Sequence, residues 1–140
     1  MISETDIQIG DWLHLEYTNS IQGFVSFNFK VSQLRRDYGD ELLVWGEKTP
    51  DGKHFGNMGG VSKIQPIPLT AEILEKNGFE KDPEGGELIW TDDDVTEVVW
   101  VGTILTIRGE YANAEFATCM FVHELQHALR LCGIEKELEL

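Results

Sequence analysis

The sequence predicts an α+β fold made of an N-terminal antiparallel sheet or small barrel, a short helix, a β-meander and a C-terminal helix packed on the sheet. Three observations support this class. Short segments near the start of the chain alternate apolar and polar residues with the period of a half-buried strand. A central segment carries residues that begin and end a short helix. A later segment repeats apolar residues at helical spacing.

The chain has 140 residues, which is enough for a single domain with its own core. We divide it into a β-rich part over 1–66, a part over 67–134 that holds both helices and the meander, and a tail over 135–140. The first six residues lack the basic and apolar regions of a signal peptide, and no apolar run approaches the roughly 20 residues that span a bilayer. We therefore expect a cytoplasmic protein that does not bind a membrane.

Three strands are predicted in the N-terminal part, over residues 7–17, 24–31 and 42–46. The second is the clearest, because four apolar side chains share one face of it: Val25, Phe27, Phe29 and Val31. Residues 49–52 (Thr-Pro-Asp-Gly) are typical of a tight turn after the third strand. The glycine-rich residues 56–60 lack the Lys-Ser/Thr of a phosphate-binding loop, so we interpret them as a flexible loop.

The central helix is predicted over residues 71–77. Thr70 is a good N-cap, and Gly78 stands where a left-handed residue ends a helix. Phe79 can then fold back onto Leu74, as in a Schellman motif.

A β-meander is predicted from residue 87 to 108, with Gly102 at a turn or bulge. Its first turn contains three consecutive aspartates, Asp92, Asp93 and Asp94. The alternating spacing of a calcium loop is absent, so we interpret them as a solvated hairpin turn.

The last helix is predicted from Asn113 to Gly133, with the charged tail after it frayed. Cys119 and Cys132 both fall in this helix, thirteen positions and about 20 Å apart, so they cannot bridge each other and should be reduced thiols. Its apolar face is formed by Phe121, Leu125, Ala128, Leu129 and Cys132.

The same helix contains a possible zinc motif, His123-Glu124-Leu125-Gln126-His127. Histidines at i and i+4 can both ligate one Zn²⁺, and Glu124 can then act as the general base on the bound water. On a helical wheel, however, both histidines lie opposite the apolar face and are predicted to point away from the core.

A third zinc ligand is not evident. Thirteen residues follow His127. They include three glutamates beyond the end of the helix, and His14 and His54 are distant options. The longer metzincin pattern also fails, because Arg130 stands where that pattern has glycine.

The net charge of −14 disfavours direct binding to nucleic acid, which requires lysine and arginine to displace counterions. Such acidity can attract a basic surface on another protein, or can serve solubility alone. Four tryptophans either pack in the core or stack on a small-molecule ligand: Trp12, Trp45, Trp90 and Trp100.

Three motifs carry a resemblance to a known family: Gly10-Asp11-Trp12, Pro66-Ile67-Pro68-Leu69-Thr70, and the Val122–Gln126 helix that ends at Gly133. With these motifs the chain resembles a family of small proteins from gut anaerobes and from the phages and mobile elements that they carry. The resemblance covers most of the chain, and no activity is established for the family. The N-terminal part also resembles SH3-like modules.

The resemblance bears on the zinc motif. In the family, Asn commonly stands at the position of His127 and Gln often at that of Glu124, and these residues would remove a zinc ligand and the general base. The resemblance therefore implies that His123, Leu125 and Gln126 serve the fold. We therefore expect a non-enzymatic acidic binding protein of phage or mobile-element origin, without a cofactor, that occupies a protein partner with a basic surface. Counteraction of host defence is one form that this function can take. A zinc metallohydrolase and a protein that sequesters a small molecule remain the alternatives, and the oligomeric state is open.

Overall fold

The structure is a computed structural model that describes residues 2–21, 23–48, 54–60, 63–92, 95–109 and 113–140. Two compact units divide the chain, Met1–Ile67 and Pro68–Leu140. Each unit contains an antiparallel sheet and the second adds two helices, so the predicted α+β class is confirmed. The predicted turn at 49–52 and two of the three consecutive aspartates, Asp93 and Asp94, lie outside the described residues.

The first unit is a five-stranded antiparallel sheet in the order β4-β3-β2-β1-β5. Its strands are β1 (Trp12–Asn19), β2 (Gly23–Arg36), β3 (Leu42–Lys48), β4 (His54–Gly60) and β5 (Ile64–Pro66). A single 3₁₀ turn, Glu4–Asp6, precedes them. Among the described residues no ladder joins β4 to β5, so the sheet is open and does not close into a barrel.

The core of this unit follows the predicted alternation. Leu13 and Leu15 of β1 are buried, as are Phe29 and Val31 of β2. The Asp11 carboxylate is also buried and accepts a hydrogen bond from the Gln8 N–H at 2.8 Å. The period-two interpretation of these strands is therefore confirmed.

The interpretation of residues 56–60 as a flexible loop is wrong. They belong to β4, which pairs with β3 in the register Gly46↔Gly56 and Trp45↔Asn57. A strand edge presents unpaired N–H and C=O groups, and pairing satisfies them whatever the side chains are. The glycine-rich composition of residues 56–60 does not predict that they pair with β3.

The second unit begins with α1 (Ala71–Lys76), whose predicted ends are confirmed. The Thr70 hydroxyl accepts a hydrogen bond from the Ile73 N–H at 3.2 Å. Gly78 adopts a left-handed φ of 88°, and the Phe79 N–H donates to the Leu74 carbonyl at 3.0 Å. This is the Schellman geometry that the sequence predicts.

A second five-stranded antiparallel sheet follows, in the order β10-β9-β8-β7-β6. Its strands are β6 (Glu80–Lys81), β7 (Leu88–Asp92), β8 (Thr96–Val101), β9 (Ile104–Arg108) and β10 (Asn113–Phe116). Leu88, Val98, Leu105 and Ile107 are buried on one face of it. Gly102, with a φ of 63°, makes the predicted turn between β8 and β9.

The last helix, α2 (Val122–Leu131), is ten residues long, so its predicted start near Asn113 is wrong. Residues 113–116 instead form β10, which pairs with β9. The end of the helix is as predicted, because Gly133 has a φ of 73° and the Ile134 N–H donates to the Leu129 carbonyl at 2.8 Å. Leu125, Ala128 and Leu129 of the predicted apolar face are buried, whereas Phe121 and Cys132 cap the helix and are half-buried.

Tertiary hydrogen bonds explain the late start of α2. The Cys119 N–H donates to the Thr103 carbonyl at 2.6 Å, and the Trp100 indole N–H donates to the Cys119 carbonyl at 2.9 Å. The Leu69 N–H donates to the Met120 carbonyl at 2.8 Å. Because these backbone groups are already paired elsewhere, the helix cannot extend through them.

The tail is anchored, so its description as frayed is wrong. The Asn77 side chain pairs with the backbone of Glu139 twice, donating to its carbonyl and accepting from its N–H, both at 2.7 Å. Leu138 is only 3% exposed. The Asn77 amide thus makes the same pair of backbone hydrogen bonds to the tail that a residue of a neighbouring β-strand would make.

Removing this anchor should destabilise the protein. We expect Asn77→Ala to lower the free energy of unfolding by about 2–3 kcal/mol through its lost hydrogen bonds, and Leu138→Ala to lower it by about 2–4 kcal/mol through the cavity left behind. Urea denaturation measures both, with the exposed Glu135→Ala as control. Three variants that all match the wild type would show that the tail is frayed after all.

Candidate functional site

The zinc motif lies in the first two turns of α2, and its two histidines differ in burial. His123 is 5% exposed and His127 is half-buried. The prediction that both point away from the core is therefore wrong for His123. The wheel assumed one buried face, whereas this short helix buries His123 and Gln126 as well as its apolar face.

The two imidazole rings lie near each other. Their centroids are 5.5 Å apart in an edge-to-face arrangement, and the Phe121 ring stacks on His123 at 6.0 Å. Such neighbours can supply two nitrogen ligands, whereas a protein zinc site needs at least three donors. In the described part of the chain, no group of three His, Cys, Asp or Glu residues is placed to hold a metal ion.

Glu124 has a structural role that the motif did not predict. One of its carboxylate oxygens accepts hydrogen bonds from the Phe121 N–H at 3.1 Å and the Met120 N–H at 3.3 Å. At the third position of the helix it thereby satisfies N–H groups that have no partner within the helix. The proposed general base thus caps α2, and zinc hydrolysis by this motif stays a prediction.

His14, one of the two distant ligand candidates, makes hydrogen bonds within the first unit. The Nδ1 atom of His14 is 2.8 Å from the Asn28 side-chain oxygen, and its Nε2 atom is 2.9 Å from the Ser26 hydroxyl. The side chain of His54 lies outside the described residues.

The Ser26, His14 and Asn28 side chains form a chain of hydrogen bonds that sequence reasoning missed. They meet because β1 and β2 pair His14 with Asn28 directly and Glu16 with Ser26 next to them. Their order matches a serine–histidine–amide relay, but the three side chains lie on the exposed face of a sheet. Such a relay also uses backbone N–H groups to bind an oxyanion, and the N–H groups of these paired strands already donate to neighbouring strands. Alternation along each strand placed them on one face, but the register that joins them could not be predicted.

The four tryptophans are divided equally between the two units. Trp12 is buried and Trp45 half-buried in the first unit. In the second unit, Trp90 and Trp100 share the sheet face that holds the buried Val98.

Trp90 borders a shallow groove of about 400 Å³ that also includes Glu80, Lys81 and Ile89. The Lys136 ammonium group lies 4.8 Å from the centre of the Trp90 ring. Burial lowers the pKa of Lys136. Since a side chain of the tail already contacts the ring, the groove offers a small molecule little free aromatic surface.

The acidic residues are unevenly divided between the units. Residues 68–140 contain 16 of the 25 acidic residues and 5 of the 11 basic ones, which gives the second unit a net charge of −11. The first unit has 9 acidic and 6 basic residues, a net charge of −3. Most of the negative net charge of this protein therefore lies on the second unit.

Comparison with protein-family models, with curated proteins and with solved structures finds no match. No helix in the described residues is long and apolar enough to cross a membrane. The geometry and the charge of the two units therefore carry the functional argument.

Exchanging Glu124 separates the cap from acid–base chemistry. Glu124→Ala loses both the cap and the favourable charge at the helix start, so we expect it to lower the free energy of unfolding by about 1.5 kcal/mol. Glu124→Gln keeps the accepting oxygen and should lose about 0.5 kcal/mol. If thermal or urea denaturation shows that Glu124→Ala and Glu124→Gln lower the free energy of unfolding equally, the capping role is contradicted.

The two cysteines are free thiols and should react differently. Burial, and after it the nearby Glu124 charge, raises the pKa of Cys119 to about 12. Burial also raises the pKa of Cys132, but this thiol is partly exposed and a reagent can reach it. We expect a disulfide reagent to modify Cys132 in the native protein and Cys119 only after unfolding. A Cys132→Ser variant that still reacts at the wild-type rate would contradict this assignment.

The same pKa shift predicts how stability depends on pH. Between 9.0, the ordinary pKa, and about 12, the unfolded Cys119 thiol loses its proton while the native one keeps it. The free energy of unfolding should therefore fall as pH rises above 9.0. Cys119→Ala should fall less steeply over this range in urea titrations at each pH, and an unchanged slope would contradict the shift.

Proposed function

We propose that this chain is a non-enzymatic binding protein of phage or mobile-element origin, which occupies a partner protein that has a basic surface. The observation that carries the proposal is the net charge of −11 on the second unit. A field of that sign speeds the approach of basic proteins and repels nucleic acid and anionic membranes. The phage origin is supported by the motif resemblance alone.

A protein of this kind acts by blocking. If its partner is a host factor whose basic groove holds nucleic acid, the acidic unit competes for the same lysine and arginine side chains. This form of the proposal places the protein in the host cytoplasm and gives it a role against host defence. It needs no cofactor, and the capping role of Glu124 agrees with a binding protein.

The proposal is tested by capture from a lysate of a gut anaerobe, followed by elution with increasing salt. We expect the recovered proteins to be predominantly basic and to elute between about 0.1 and 0.5 M salt, as screening shortens the range of the charges. Recovery of no basic protein at low salt, or retention that does not depend on salt, would reject the electrostatic form of the proposal.

Two variants with equal changes in net charge sharpen this test. One neutralises exposed acids of the second unit, Glu72, Glu75 and Glu84, to Gln. The other changes exposed acids of the first unit, Glu4 and Glu16 to Gln and Asp6 to Asn. We expect the first to lower the affinity for the captured proteins about fivefold and the second to change it less than about twofold.

A further inference from the structure

The second sheet has one face that its own unit does not bury completely. We call it the outer face and define it by Glu80, Ile89, Val99, Val101, Ile104 and Glu115. Strand alternation directs these side chains away from the buried Val98 and Leu105. The register aligns Glu80, Ile89, Val99, Thr106 and Glu115 in one row across all five strands.

The centre of the outer face is apolar. Ile89 and Val99 are half-buried neighbours in the row, and Val101 and Ile104 form the adjacent cross-strand pair. Val101 is 42% exposed and Ile104 is 40% exposed. These four side chains adjoin one another and form a small continuous apolar patch, in contrast to apolar residues that are exposed singly.

The margins of the outer face are acidic. Glu80 and Glu115 stand at opposite ends of the row, and both are exposed. Glu97 also lies on this face, but the directly paired Arg108 offsets its charge, so the acidic margins are formed by Glu80 and Glu115. The arrangement is an apolar strip between negative charges, within a unit whose net charge is −11.

We propose that the outer face docks a partner protein through a surface that is apolar in its centre and carries lysine or arginine at its margins. This inference rests on the proposed function and names the surface that performs it. The charges exclude the other occupants. A second copy of the chain would bring Glu80 and Glu115 against units of the same sign, while nucleic acid and anionic lipid would be repelled.

The test uses the full chain labelled with ¹⁵N and two synthetic probes. One probe is an amphipathic peptide of lysine and leucine, about 14 residues long, which presents an apolar stripe flanked by lysines. The other is an oligolysine of equal charge, which offers no apolar stripe. We expect the amphipathic peptide to shift the amide signals of β7 to β10 and to bind at least about fivefold more tightly than oligolysine.

Variants of the apolar centre identify the surface. Val101→Thr combined with Ile104→Thr keeps branched side chains on the strands but makes them polar. It should weaken the amphipathic peptide about threefold or more and leave oligolysine binding unchanged. Val95→Thr is the matched control, because Val95 is 52% exposed but lies outside the outer face. Unchanged melting temperatures establish that each variant is folded.

Variants of the margins complete the test. Glu80→Lys with Glu115→Lys should weaken the amphipathic peptide about 20-fold or more, because it removes both the long-range attraction and the contacts at the margins. Glu72→Lys with Glu75→Lys changes the net charge equally on α1 and should weaken it only about fivefold, through the long-range attraction alone. Signal shifts spread evenly over the acids of both units, or equal weakening by both pairs, would overturn the assignment of this face. If lysate capture remains salt-dependent in that case, the proposed function survives and only the docking surface is wrong.

Discussion

The Glu124 carboxylate accepts hydrogen bonds from the backbone N–H groups of Met120 and Phe121, and together with the paired backbone of the preceding segment this cap sets where α2 begins. It helps to start α2 at Val122, after a segment whose carbonyls are taken by Trp100 and Leu69. The helix is consequently short, Cys119 is buried before it, and residues 113–116 are left to pair as the edge strand β10. The start of the helix and the pairing of the edge strand therefore both depend on where residues 117–121 find their hydrogen-bond partners.

The same cap changes how the zinc motif is understood. The spacing of i and i+4 places the ring centroids of His123 and His127 5.5 Å apart, so the two imidazoles are neighbours, as the motif requires. The residue between them is nevertheless engaged by the backbone, and a metal site depends on a third donor as much as on the first two. Spacing along a helix determines neighbours on that helix only, whereas the remaining ligands must come from other elements.

In the second unit, the net charge and the apolar strip of the outer face have different roles in the proposed binding. Most of the net charge lies on the residues of this unit, while the outer face of its sheet places an apolar strip between glutamates. Long-range attraction of a basic partner requires only the sum of the charges, but a stable complex also requires apolar area that loses contact with water. The strands supply that area because β-branched side chains occupy both faces of the sheet.

Local sequence determined much of this protein. The ends of α1 at Thr70 and Gly78, the end of α2 at Gly133, and the alternation of Phe29 and Val31 all follow from interactions between residues close in the chain. Only the tertiary structure decided the rest: the strand at 56–60, the late start of α2, the anchored tail at Asn77 and the burial of His123. In each of these the backbone or side chain meets a partner distant in sequence. Propensity and period carry no information about which distant group will satisfy a hydrogen bond or cover a face.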